Sequence, residues 1–179
     1  LSYFPKEKMT EDFLIFAASR NGKILHVIPD KMKTRKICEQ SVRQNGMVLS
    51  KVPPKYRNQD ICRFAIKQNG NALSFLLSQY RTEELCKLAV QQNGNALQYV
   101  PKELKTQELC KMAVKQNGNA LDFVPREKRT YEMCELAIKN GIENLKNVPK
   151  IYHTNDFCEL FNKQIMGKQL KNKNSRYNL

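Results

Sequence analysis

The sequence predicts an all-α fold, an α-solenoid of about seven stacked 24-residue two-helix repeats. Three observations carry this. Cys38, Cys62, Cys86, Cys110, Cys134 and Cys158 follow one another at a constant interval of 24 residues. Thr10, Thr34, Asn58, Thr82, Thr106, Thr130 and Thr154 keep the same interval, four residues ahead of Leu14 and of each cysteine. Asn-Gly pairs ending at Gly22, Gly46, Gly70, Gly94 and Gly118 keep it too. Recurrence at a fixed period of this length is the signature of a repeat array.

Each unit opens with a helix whose Thr or Asn side chain can accept a hydrogen bond from a first-turn N–H. Its apolar face combines three sets of positions. They are Leu14 or the cysteine, the residue before it (Phe13, Ile37, Ile61, Leu85, Leu109, Met133, Phe157), and the small residue three on (Ala17, Ser41, Ala65, Ala89, Ala113, Ala137). That spacing fits one side of a helix. Asn-Gly then ends the helix, with the glycine expected in a left-handed turn. The sixth unit has its pair one residue early, at Asn140-Gly141.

A second short helix is expected over Leu25, Leu49, Leu73, Leu97, Leu121 and Leu145, with Ile28, Val52, Leu76, Val100, Val124 and Val148 three residues on. Pro29, Pro53, Pro101, Pro125 and Pro149 close it, and Leu77 stands in the third unit. Segments such as PKELK then leave room for one helical turn before the next cap. Ordering one unit costs roughly 36 kcal/mol at about 1.5 kcal/mol per residue, so single units cannot stand alone and must stack.

The array is expected over 10–164, with units starting near 10, 34, 58, 82, 106, 130 and 154. Residues 1–9 read as the end of a preceding repeat, because Leu1 to Pro5 are in phase with Leu97 to Pro101. The chain is therefore expected to be part of a longer protein. Residues 165–179 read as a polar, basic cap or tail. No stretch approaches the roughly 20 apolar residues that a membrane span needs.

Units such as TEELCKLAVQQNGNALQYVPKELK and TQELCKMAVKQNGNALDFVPREKR resemble the repeats of the bacterial domain-of-unknown-function 4116 family, over about residues 3 to 162. The resemblance implies a helical repeat protein, often inside larger proteins of host-associated bacteria. It implies no catalytic residues.

The cysteines fit neither disulfides nor a metal. Equivalent helices in a stack lie roughly 8 to 10 Å apart, beyond the limit of about 7 Å between Cα atoms for a bridge. Zinc needs ligands at short spacing, and no Cys-x-x-Cys or histidine cluster occurs, His26 and His153 being the only histidines. Leu14 can fill a core slot and cannot ligate a metal, so the column reads as buried, reduced thiol in a reducing compartment such as the cytoplasm. Delivery into a host cell is a second expected setting. No cofactor is expected. The constant Asn-Gly pair cannot act as a one-base-per-repeat reading code, because an invariant code specifies nothing.

Net charge of +14 invites an anionic partner. Lys33, Arg57, Arg81, Lys105 and Arg129 precede successive caps and could form a ridge along phosphates. Asp60, Glu84, Glu108 and Glu132, three residues beyond four of them, favour local charge pairing instead. A second column, Arg43, Lys67, Lys115, Lys139 and Lys163, suits the last turn of the first helix. The excess is local: residues 34–57 hold Arg35, Lys36, Arg43, Lys51, Lys55 and Arg57 against Glu39 alone. These six are the candidate partner-binding residues. Units 82–105 and 130–153 are each balanced.

With no phosphate loop and no nucleophile near a histidine, the expected function is a non-enzymatic protein-interaction or scaffold module. Its partner is expected to be another protein, with an acidic one suited to the second unit. Nucleic acid or anionic lipid bound through that unit is one alternative. A targeting array for a catalytic domain of a secreted bacterial effector is the other.

Overall fold

The computed structural model describes residues 9–140, 148–156 and 158–163. Expectations for Leu1 to Pro5, Gly141, Leu145, Phe157 and 165–179 lie outside the described residues. Six α-helices recur in phase: α1 (Glu11–Arg20), α2 (Arg35–Gln44), α3 (Gln59–Gln68), α4 (Glu83–Gln92), α5 (Gln107–Gln116) and α6 (Tyr131–Lys139). A seventh is described at 155–156 and 158–163. Among the described residues there is no strand.

Each α-helix starts where the sequence places it. Thr10, Thr34, Asn58, Thr82, Thr106 and Thr130 are extended and accept from the N–H three residues on, as Asn58 Oδ1 does from Ile61 at 3.0 Å. The second helix of the unit is a 3-10 helix, such as Gly46–Lys51 or Gly94–Tyr99. The seven residues between Asn45 and Pro53 are too few for a stable α-helix and suffice for the tighter form. A second, three-residue 3-10 turn, such as Pro54–Tyr56, fills the remaining segment.

The glycine expectation needs correction. In the first five units the asparagine before the glycine ends the α-helix in extended backbone, at φ −148° for Asn45 and −152° for Asn69. Gly22, Gly46, Gly70 and Gly94 are not in the left-handed region. Asn45 Oδ1 accepts from Met47 N–H at 3.1 Å, so the asparagine stops one helix and caps the next. The glycine is required for close approach. A Cβ on Gly46 would stand 2.2 Å from the carbonyl oxygen of Ala65 in the next unit.

Among the described residues, substantial packing runs only within a unit or between neighbours, as in other solenoids. Successive α-helices form one layer and successive long 3-10 helices the other, and each α-helix also packs on the 3-10 helix of the unit before it. The repeated positions form the seam. Ile37, Cys38, Ser41 and Val42 of α2 and Val48, Leu49 and Val52 after it are all buried, as are their equivalents in the third to fifth units. Each fully buried Leu or Ile contributes roughly 1.5–3 kcal/mol relative to exposure. Leu14 is buried in the place of the cysteine.

Neighbouring units are also clasped by hydrogen bonds. Gln44 Oε1 accepts from Gly22 N–H at 3.1 Å, Gln68 Oε1 from Gly46 N–H at 2.7 Å, and Gln116 Oε1 from Gly94 N–H. Glutamine recurs at 44, 68, 92 and 116, in the Gln-Asn-Gly of the repeat, and the side chains of Gln44, Gln68 and Gln116 join one unit to the one before.

Candidate interaction surface

The cations ahead of the caps turn into the fold. Arg57 Nε donates to Val52 O at 2.7 Å and its Nη2 to Ser50 O at 3.0 Å. Arg81 Nε donates to Leu76 O at 2.9 Å and Arg129 Nε to Val124 O at 3.0 Å, while His153 Nε2 lies 3.2 Å from Val148 O. Carbonyls at the end of the long 3-10 helix in the second, third and fifth units are thus satisfied by the arginine five residues on. Three of the column reach the next unit as well: Lys33 Nζ to Lys51 O at 3.1 Å, Arg81 Nη1 to Tyr99 O at 2.6 Å and Lys105 Nζ to Phe123 O at 2.8 Å. Burial holds the Lys105 ammonium below its ordinary pKa.

The expected pairing of this column with first-turn acids is therefore corrected. Glu84 and Glu132 instead meet cations of the preceding unit, Arg63 at 3.0 Å and Lys111 at 2.6 Å. The reason is reach. A cation before the cap is directed at carbonyls of its own 3-10 helix or of the next unit, whereas Glu84 and Glu132 in the first turn face the preceding α-helix.

Three members of the last-turn column pair within their helix, Arg43 with Glu39 at 2.8 Å, Lys139 with Glu135 at 2.7 Å and Lys163 with Glu159 at 3.8 Å. Arg43 also lies 3.8 Å over the Phe64 ring of the next unit. Of the six candidate residues, Arg43 and Arg57 are thus engaged by the fold. Arg35, Lys36, Lys51 and Lys55 are exposed. Arg35 and Lys36 make no ion pair or hydrogen bond through their side chains among the described residues, and Lys55 rests 4.8 Å from the Tyr56 ring. Lys31, exposed on the turn Asp30–Met32, joins this group. Lys31 lies ahead of Thr34 and so belongs in sequence to the first unit.

The five cysteines of α2 to α6 are buried and free, and Cys158 is partly buried. Burial pushes the thiols of Cys38, Cys86 and Cys134 up to about 11, and those of Cys62 and Cys110 in the same direction. Such thiols are poor nucleophiles and poor metal ligands at neutral pH. Among the described residues no group of three or more His, Cys, Asp or Glu could hold a metal ion. No described helix is long and apolar enough to cross a membrane.

Concavities mark the described surface. A shallow one of about 40 Å³ between α4 and α5 is lined by Glu83, Lys87, Leu104, Glu108 and Met112. An open hollow of about 480 Å³ lies on the first unit, against Phe13, Phe16, Ala17, Ile24 and Val27. In the second unit the equivalents of Phe13, Ala17 and Ile24 are Ile37, Ser41 and Val48, all buried beneath the unit before. Neither concavity gathers a set of groups suited to acid–base or nucleophilic chemistry.

A solenoid with its repeated residues inside and its varied residues outside defines a helical-repeat protein. The family profile described as Domain of unknown function (DUF4116) matches residues 34–81 and 82–129, more than half of the chain. The chain belongs to this family. Each matched segment starts on a cap threonine and spans two of the 24-residue units. Comparison with curated proteins gave no match, and comparison with solved structures gave none.

Proposed function

We propose that the array is a non-enzymatic scaffold that holds another protein against its outer surface. One observation carries this reading: the repeated apolar residues and glycines are spent on the stack, and the positions that vary most from unit to unit are exposed. The position of Arg35 is Glu11, Gln59, Glu83, Gln107 and Tyr131 in other units, exposed in each. A rigid backbone with independently variable surface positions is how repeat proteins tune recognition. Five thiols and the cations before the caps, the groups most easily mistaken for chemistry, are occupied in holding the fold.

Nucleic-acid or anionic-lipid binding is the second reading, favoured by the exposed Arg35, Lys36, Lys51 and Lys55. It ranks lower because the column that would track a phosphate backbone is directed at carbonyls. Photo-crosslinking from exposed positions of the full chain in its native cell tests the two together. The scaffold reading expects a discrete protein adduct from one face of the array. Nucleic-acid adducts alone, or substrate turnover by the purified chain, would overturn it.

A further inference from the structure

The first turn of α2 breaks a rule that the other helices keep. Asp12, Asp60, Glu84, Glu108, Glu132 and Asp156 occupy one position of the first turn, where a carboxylate favours the positive end of the helix. In α2 that position is Lys36, preceded by Arg35, and the turn has no acid at all. Like charge at this end is unfavourable. A local violation that the rest of the array avoids is the kind of feature that function retains.

The surrounding charges reinforce it. The turn Asp30–Met32 brings Lys31 directly ahead of this helix start, and Lys55 lies on the corresponding turn of the next unit, Pro54–Tyr56. The equivalents of Asp30 and Lys55 in later units, Lys102 and Glu127, form an ion pair at 3.3 Å, which places those two positions side by side. The nearby acids already have partners. Asp30 is 2.7 Å from Lys33 Nζ, which holds its carboxyl below the usual range, and Glu11 Oε1 accepts from Thr34 Oγ1 at 2.7 Å. Thr34 Oγ1 already accepts from Ile37 N–H at 3.4 Å. The charge is that of exposed side chains.

We propose that Lys31, Arg35, Lys36 and Lys55 form a docking surface for a short acidic segment of a partner protein. This rests on the scaffold reading and names the partner's chemistry. A continuous polyanion fits less well. The basic surface is one unit wide, bounded by Glu11 and Asp12 on one side and Asp60 on the other. A nucleic-acid strand crossing it would meet carboxylates at both edges, whereas a few consecutive Asp or Glu residues would not.

The test measures binding of a short fluorescein-labelled polyglutamate peptide to the full chain at several salt concentrations. Arg35→Glu with Lys36→Glu is expected to weaken binding about tenfold or more while leaving the thermal midpoint unchanged or higher. Lys67→Glu with Lys115→Glu makes the same change in net charge on other units and is expected to have little effect. Equal weakening by the two pairs would overturn the proposal, since attraction would then follow net charge alone. Tighter binding of an oligonucleotide or of phosphatidylserine vesicles, with the same dependence on Arg35 and Lys36, would overturn it in favour of those partners. If a protein adduct forms from the native array but does not involve these residues, only this proposal falls and the scaffold reading stands.

Discussion

At the scale of single residues, Gly46 and Cys86 show how one stacking geometry selects side chains. The Gly46 backbone passes so near Ala65 O that a Cβ has nowhere to go, because the obstacle is main chain of the next unit. Gly46→Ala should cost about 1–3 kcal/mol through that overlap. Gly46→Asn discriminates between causes. A left-handed turn would tolerate asparagine, whereas close approach rejects it at least as strongly as alanine. Urea unfolding of both variants measures the difference. The cysteines report the same packing through titration. The Cys86 thiol is pushed up to about 11 by burial, against an ordinary value of 9.0. A raised folded pKa gives stability that is complete below the unfolded pKa and lost as pH rises through the folded one. The window is therefore from about pH 9 to about 11. Thermal midpoints across it should fall more steeply for the native chain than for Cys86→Ala, and a parallel pair of curves would contradict the assignment.

At the scale of elements, Leu77 is the informative exception. Its φ of −63° and ψ of 147° match those of Pro53 at −57° and 142°, so leucine here adopts the backbone that proline fixes elsewhere. The residue before it, Leu76, is extended as a residue before proline must be, and Leu77 itself is 66% exposed. Leu77→Pro should therefore stabilise by about 0.4–1 kcal/mol, by restricting the unfolded chain. A lower midpoint in chemical denaturation would mean that the Leu77 side chain or N–H makes a contact that matters. This element level is also where the sequence was most and least legible. Caps, helix phase and core positions were readable because each depends on local residue type at fixed spacing. The form of the second helix was harder, since the spacing of Leu49 and Val52 suits an α-turn and a 3-10 turn alike. The direction of Arg57 and Arg81 was harder still. Carbonyl acceptors carry no sequence signature, while Asp60 and Glu84 advertise themselves as partners. Of the candidate surface, the second unit's excess was legible, and Lys31 was not, because contacts between turns of adjacent units join what the repeat boundary separates.

At the scale of the whole molecule, each interface is built from the same parts, so an entire unit can be removed without inventing a new contact. Deleting residues 82–105 joins Arg81 to Thr106, the residue type that follows it now. Gly70, which presently meets Ala89 O, would meet Ala113 O as Gly94 does. Arg81 would reach Phe123 O in place of Tyr99 O, as Lys105 does already. Arg63 would find Glu108 where it now pairs with Glu84. The shortened chain should keep a helical circular dichroism spectrum and unfold cooperatively, with a denaturant dependence reduced by roughly one-seventh, in step with the surface it no longer exposes. Deleting only 94–105 is the contrasting case. It removes the 3-10 layer of one unit and sets α4 directly against Thr106, so Ala113 loses the glycine that packs on its carbonyl and Gln116 loses the N–H it accepts. That chain should unfold at lower denaturant and over a broader range despite keeping more residues. If the two deletions behaved alike, stability would follow chain length, and nearest-neighbour stacking would not be what holds the array together.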